Sequence, residues 1–334
     1  MNMNKLPSVS IITPSLNQGS FLEQSIQSVL GQQYPNLELI IIDGGSDDNS
    51  IEIIKKYEKH IAYWVSETDR GQSDAINKGL RIASGDIVNW LNADDYYEPD
   101  TLQKVTAQFS DDQVNVVCGR GKVVTEQGGF IQFSRGTDVY PGNLAKTIGW
   151  ARIDQPETFF RRNVLEQTGL LNADLHYVMD KAWWINYLLL FRLDGVRMFE
   201  EVLVNFRLHD ASKTVSQSEC FARETDALFL HLAEQNYLET EAKGIREFTD
   251  THEPKDLNNL ITESLDLPLV KQVLHYYLLH RADEFYFQHQ REKAKTCLSI
   301  IDSSLLAAEE RSLYQKLKTR CRWVPVPLVK LMRK

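Results

Sequence analysis

The stretch WLNADDYY, Trp90 to Tyr97, ends an apolar run on two adjacent aspartates, Asp94 and Asp95, whose charges repel. An Asp pair at a strand end either shapes a turn, because Asp accepts from nearby backbone N–H groups, or awaits a cation that converts the repulsion into binding. Nothing within the stretch chooses between the two. Two other apolar runs end on useful side chains, VSIIT with Pro14 and Ser15 behind it and LELIII with Asp43. From spacing alone, turn chemistry accounts for these residues as well as a shared ligand does.

The elements that must carry these residues alternate. VSIIT (Val9 to Thr13) and LELIII (Leu37 to Ile42) read as buried strands, because each is a short apolar run rich in β-branched residues, and IAYWVS and DIVNWL read as a third and a fourth strand. Helical patterns separate them. Ser20 and Glu23 have the spacing of a capping box for a helix running to Leu30. SIEIIKKY follows, and SDAINKGLRIAS (Ser73 to Ser84) is expected to be stopped by Gly85. Repeated strand–helix units predict a doubly wound, mostly parallel α/β sheet. Ligands of such sheets bind outside the carboxyl ends of the strands, where Ser15, Asp43 and Asp94 all fall.

Composition narrows the ligand and the setting. The chain has 334 residues, 43% hydrophobic and 25% charged, which suits a soluble globular protein with one large domain and an appendage. Cys118, Cys220, Cys297 and Cys321 are scattered, so neither a zinc site nor a disulfide framework is expected. The start lacks the pattern of a signal peptide. The longest apolar runs, such as WWINYLLLF, fall short of the ~20 residues that span a bilayer. A cytoplasmic setting is expected. The formal net charge of −9 argues against nucleic-acid binding. No GxGxxG follows an early strand and no GxxxxGK[ST] occurs, which disfavours dinucleotide oxidoreductases and P-loop enzymes. An acidic crevice without a basic glycine loop takes a diphosphate only through a divalent cation, Mn²⁺ or Mg²⁺.

At this point the residues resemble a family. SVSIITPSLNQGSFLEQSIQSVLGQQYPNLELIIIDGGSDDNS and SETDRGQSDAINKGLRIASGDIVNWLNADD look like the family 2 glycosyltransferases of GT-A fold, inverting enzymes with a DxD-type motif. The resemblance is dense from about Pro7 to Thr101. It persists to about Thr214 through QPETFFRRNVLEQTGLL, MDKAWW and FRLHDASKT. It implies that Pro14, Ser15 and Asp43 hold the base and ribose of a nucleotide-sugar, usually a UDP-sugar, and that Gln72 and Asp74 lie in the segment closing over it. NADD falls on the DxD-type motif, so the resemblance makes Asp94 a metal ligand and leaves Asp95 to orient water, ribose or the turn. The motif's first acidic position is Asn92, which lacks the charge and keeps an acceptor oxygen for a ribose hydroxyl of the donor or a metal-bound water.

The resemblance places a catalytic base at Asp180, where an N-cap is the alternative reading, and puts His209 near the metal or diphosphate. Lys213 in the same loop has the reach to meet the leaving phosphate. Trp150, Gln155 and Glu157 fall between the donor half and the base, where an acceptor sugar would enter. AWWINYLLLF behind Asp180 is apolar on nearly every face and is expected to be buried.

From about Glu219 onward strand patterns give way to amphipathic helices. The expected organisation is a catalytic domain over 1–218, with a nucleotide-sugar half to about 110 and an acceptor half over 111–218, then a helical region over 219–334. From Arg311 to Lys334 there are eight Lys or Arg and no acid. The end, RCRWVPVPLVKLMRK, suits either a solvated basic tail or an anionic membrane surface. The function expected is transfer of a sugar, with inversion, from a nucleotide-sugar to a glycan or lipid-linked glycan in surface polysaccharide synthesis. The alternatives are a non-catalytic relative that binds a partner and a nucleotidyltransferase on a similar fold.

Overall fold

The computed structural model describes residues 6–150, 152–210, 212–213, 217–249, 257, 260 and 266–323. They fall into two compact units. The first comprises Met1–Val139 and Arg152–Ser218, the second Tyr140–Ala151 and Glu219–Lys334.

The first unit is an α/β sheet flanked by helices. Strands β1 (Val9–Ser15), β2 (Leu37–Asp43), β3 (Tyr63–Ser66) and β4 (Ile87–Trp90) lie in the order β3-β2-β1-β4, all parallel. Between them run α1 (Leu22–Leu30), α2 (Ser50–Tyr57) and α3 (Gln72–Ile82). Ile11, Leu39, Ile41 and Ile87 pack with Leu22, Ile26 and Val29 of α1 and Ile54 of α2 in one core. The runs of β1, β2 and β4 read as strands because a parallel sheet covered on both faces buries consecutive side chains, whereas the edge strand β3 is only partly buried. Ser15 pairs with Asp43, Asp43 with Ser66, and Ile12 with Trp90. Three strands therefore end along one edge.

Beyond β4 the expected parallel pattern stops. The later strands are β5 (Tyr96–Tyr97), β6 (Val116–Thr125), β7 (Phe130–Phe133), β8 (Thr158–Arg161) and β9 (Val196–Leu208). β8 is antiparallel to both β4 and β6, β9 is parallel to β6, and β5 and β7 pair antiparallel on β9 and β6. The sheet as a whole is mixed, and the parallel order belongs to its first four strands. Helices α4 (Thr101–Gln108), α6 (Leu165–Thr168) and α7 (Met179–Phe191) complete this unit.

Two local expectations give way to packing. Glu23 makes no capping box: Phe21 is the N-cap of α1, no side chain caps it, and the Glu23 carboxylate takes Lys56 Nζ at 2.5 Å and Tyr57 Oη at 2.7 Å. Contact with α2 offers that carboxylate a cation, which outweighs a local backbone bond. Gly85 does not end α3, which stops at Ile82. Instead its N–H donates to Ser10 Oγ, and a Cβ there would lie 2.6 Å from Ser10 N, so glycine lets the chain run close against β1.

The second unit is helical. It contains α5 (Leu144–Trp150), α8 (Ser218–Gln235), α9 (Glu239–Phe248), α10 (Leu267–Phe287), α11 (Arg291–Ile300) and α12 (Ala308–Trp323). The long α10 is buried around most of its circumference, and Asp266 caps it by accepting from Leu269 N–H. Gly149 lets α5 approach α10 closely, since a Cβ there would meet Val273 O at 2.6 Å. Among the described residues no helix is long and apolar enough to cross a membrane. The basic tail beyond Trp323 lies outside the described residues.

Candidate active site

The site forms where β4 leaves the sheet. Leu91 N–H still bonds Ile12 O, and Asp95 N–H then bonds Asn92 O, closing a turn over Asn92, Ala93, Asp94 and Asp95. β5 follows directly and pairs with β9, Tyr96 opposite Asn205, so the turn lies beside the end of β9. That is why Asp94 Oδ2 reaches His209 Nε2 at 3.1 Å, although the residues are 115 apart in sequence. The His209 ring is nearly buried, with 7% of its side chain exposed, and stacks at a tilt on Phe21 with ring centroids 4.7 Å apart.

Asn92 is engaged by a neighbouring side chain. Its Oδ1 accepts from Gln72 Nε2 at 2.7 Å, tying the turn to the first residue of α3. Gln72 Oε1 in turn accepts from Lys213 Nζ at 3.3 Å, and the same ammonium donates to His176 O at 3.3 Å. Gln72, Asn92, Asp94, His209 and Lys213 thus converge from three distant parts of the chain. Asp74, in the first turn of α3, holds an ion pair with Arg70 at 3.7 Å and another with Lys78 at 3.9 Å.

At the neighbouring strand ends, Pro14 and Ser15 are buried, and Ser15 Oγ has no hydrogen-bond partner among the described residues. Asp43, fully buried, has its carboxylate engaged by its own loop and by β3: Oδ2 accepts from Gly45 N, Ser46 N and Ser66 Oγ, and Oδ1 from Ser46 Oγ. Asp95 is buried beneath the turn. Its Oδ1 accepts from Arg207 N at 2.9 Å and its Oδ2 has no partner among the described residues. Burial, reinforced by the charge of Asp94, holds the Asp95 carboxyl well above the usual carboxylate range.

Asp180 is the second residue of α7, whose N-cap is Val178, so it does not cap the helix. Its Oδ1 accepts from Lys181 N–H at 2.7 Å. Burial pushes its carboxyl up to about 6, against the lowering effect of that bond and of the Lys181 charge, while Asp154 adds a small upward push. α7 is a rigid mount: it is buried as expected, Trp183 Nε1 donates to Thr168 Oγ1, and the Trp184 and Tyr187 rings stack 5.1 Å apart.

The three residues proposed to meet an acceptor belong to different units. Gln155 and Glu157 lie on a 3-10 turn before β8. Gln155 is buried and gives Nε2 to Asn89 Oδ1 and Trp90 O, bracing the end of β4. Glu157, also buried, accepts from Ser134 Oγ at 2.7 Å. Burial, then the charge of Asp154, pushes its carboxyl up to about 8. Trp150 belongs to the second unit, where its indole N–H donates to Tyr276 O and its ring takes the Lys146 ammonium at 5.2 Å. Arg207 was not singled out in the sequence, yet it is buried and donates Nε to Asp94 O at 2.8 Å. Its only sequence signal is its place in FRLHDASKT, two residues before His209.

Among the described residues no group of three or more His, Cys, Asp or Glu side chains is arranged to hold a metal unaided. Asp94 and His209 nevertheless offer a donor set that fits a divalent cation with further ligands from elsewhere. One carboxylate oxygen and one imidazole nitrogen suit Mn²⁺ at least as well as the oxygen-preferring Mg²⁺.

Comparison with known proteins bears on the family and the fold. The family model described as glycosyl transferase family 2 matches residues 10–169. An uncharacterized glycosyltransferase of Mycobacterium tuberculosis is 31% identical over 189 residues, covering 54% of this chain and 69% of its own. One of Rickettsia typhi is 28% identical over 220 residues, 62% of this chain and 66% of its own. One of Rickettsia conorii is 26% identical over 284 residues, 80% of this chain and 46% of its own. The chain therefore spans less than two thirds of the length of the two Rickettsia relatives. Among solved structures, S. aureus TarS 1-349 in complex with UDP-GlcNAc superposes with a TM-score of 0.61 at 16% identity, covering 94% of this chain and 91% of that one. The mannosyltransferase PcManGT from Pyrobaculum calidifontis, in complex with GDP-Man and Mn²⁺, gives 0.50 at 18%, covering 98% and 84%. At these identities the likeness shows a shared GT-A fold.

Proposed function

The chain belongs to the family 2 glycosyltransferases, and from that premise we propose that it transfers a sugar from a UDP-sugar to a hydroxyl of a glycan, with inversion. The carrying observation is the 3.1 Å approach of Asp94 Oδ2 and His209 Nε2 at the carboxyl edge of the parallel strands. Asp94 and His209 would hold a divalent cation shared with the donor diphosphate. When bound, it supplies positive charge that stabilises the departing nucleoside diphosphate. Ser15 supports the donor pocket: a buried hydroxyl without a partner among the described residues, at the end of β1, suits a nucleoside group that completes its hydrogen bonding. Gln72 and Asp74 border the same edge from α3, and Lys213 bridges to Gln72 from the loop after β9.

Asp180 is the proposed base. A carboxylate held near 6 is largely ionised at neutral pH and basic enough to accept a proton. It takes the proton of the acceptor hydroxyl as that oxygen attacks the anomeric carbon. The bond from that carbon to the diphosphate oxygen breaks on the opposite face, and the electron pair leaves with the diphosphate. Gln155 and Glu157 are proposed to shape the acceptor side from within. A surface glycan or lipid-linked acceptor, with the basic tail on an anionic membrane, completes the reading. Asn92 lacks the charge of a DxD-type carboxylate, and its bond to Gln72 braces the turn that carries Asp94.

The test is a thermal-shift panel of UDP, GDP and their sugar conjugates, with Mn²⁺ or with EDTA. At a ligand concentration a hundredfold above Kd, binding to the folded chain alone adds about 2.7 kcal/mol of stability. We expect UDP to stabilise in a Mn²⁺-dependent way that Asp94→Asn and His209→Ala abolish. No response to any nucleotide would refute the reading.

A further inference from the structure

Arg207 lies near the end of β9, 3% exposed, and every arm of its guanidinium meets an acceptor. Nε donates to Asp94 O at 2.8 Å, Nη2 to Gln24 Oε1 at 2.7 Å, and Nη1 to Glu126 O. The plane of the group lies against two rings, its central carbon 4.9 Å from the Phe21 centroid and 5.1 Å from that of Tyr96. Its backbone N–H holds Asp95 Oδ1 at 2.9 Å. Directional bonds in the plane and ring contacts to the guanidinium together leave it little freedom to rotate.

The placement of these contacts matters more than their number. Asp94 sits on the turn after β4, and His209 lies two residues beyond Arg207, past the end of β9. Neither strand pairs directly with the other: β4 borders β8, and β9 borders β6 and β5. Arg207 spans that gap, with a backbone bond to Asp95, a side-chain bond to the Asp94 carbonyl, and a ring, Phe21, that it shares with His209. We propose that Arg207 is a positioning residue that sets the distance between Asp94 Oδ2 and His209 Nε2. It does so by clamping the backbone of the acidic turn to β9 and to α1, so that both side chains are pre-arranged for one cation.

The inference rests on the reading that Asp94 and His209 hold that cation. Outer-shell contacts of this kind govern metal affinity by about tenfold to a hundredfold. Lysine cannot replace the clamp, because one tetrahedral ammonium does not reach acceptors spread around a planar fork.

The test measures Mn²⁺ binding to the full chain saturated with UDP, by electron paramagnetic resonance, alongside UDP affinity in EDTA. Arg207→Lys is expected to raise the Mn²⁺ Kd by about tenfold or more and to weaken the nitrogen hyperfine coupling from His209, while UDP affinity in EDTA changes less than twofold. A loss confined to global stability, with Mn²⁺ Kd and coupling unchanged, would overturn the proposal. Gln24 lies on the exposed face of α1, so Gln24→Met should fold even if Arg207→Lys does not. It loosens one arm of the clamp, and a Mn²⁺ Kd at least about threefold above wild type is expected; an unchanged Kd would refute the clamp. If wild type with UDP binds no Mn²⁺, the cation reading itself falls, an outcome distinct from wild type and variants binding alike.

Discussion

Replacing Asp180 by asparagine changes its shape little and removes its charge, and two opposite effects follow. Burial raises the Asp180 carboxyl from 3.8 to about 6. Between those values the unfolded chain has already released its proton and the folded chain has not, so wild-type stability falls as pH rises through the window. Above about 6 the loss is complete. At about 1.36 kcal/mol per pH unit the penalty is at most about 3 kcal/mol, and partial exposure of Asp180 reduces it to about 1–3 kcal/mol. Asparagine pays no such penalty and can still accept from Lys181 N–H, so Asp180→Asn should be the more stable protein at pH 7 and no more stable than wild type at pH 3.5. Transfer should nevertheless fall by about two to four orders of magnitude, the usual contribution of a general base. In wild type, UDP release from a UDP-sugar should decline below pH 6 with unit slope, reaching about a tenth of its plateau at pH 5. Urea unfolding at both pH values and the pH–rate profile check both effects. A variant less stable than wild type at pH 7 would refute the burial argument, and one with full activity would refute the base assignment.

Two further expectations concern parts of the fold that serve the site. Glu157, buried against Ser134 with its carboxyl raised from 4.5 to about 8, makes wild-type stability fall across that whole window. Glu157→Gln should therefore gain on wild type as pH rises from 4.5 to 8 and level off beyond, and unfolding midpoints at pH 5 and 8 that differ from wild type by the same amount would contradict this. At Gly85 an alanine Cβ would meet Ser10 N, a backbone atom, at 2.6 Å. Gly85→Ala should cost about 2 kcal/mol or more as β1 is forced away, and an unchanged melting temperature would show that the loop yields instead.

By itself the sequence determined the first four strands and the helices between them, the buried α7, and the strand ends that carry Ser15, Asp43 and the acidic turn. Each was legible because burial in a parallel sheet or a packed helix imprints a local apolar pattern, and because a strand's last residue follows from where that pattern stops. Long motif strings did the same for the family. Tertiary structure alone decided which side chains meet. Asp94 finds His209 only because β5 and β9 pair, and Asn92 spends its oxygen on Gln72 only because α3 begins beside the turn. Glu23 turned from a local cap to Lys56 and Tyr57 once α2 packed against α1. Arg207 reads in sequence as an ordinary strand arginine, and its burial between Phe21 and Tyr96 depends on three segments far apart in the chain. The physical reason is the same in each case: periodicity reports which face of an element is dry, while the partner of a polar group is chosen by contacts between elements, where a cation or an unpaired carbonyl outbids the nearest backbone.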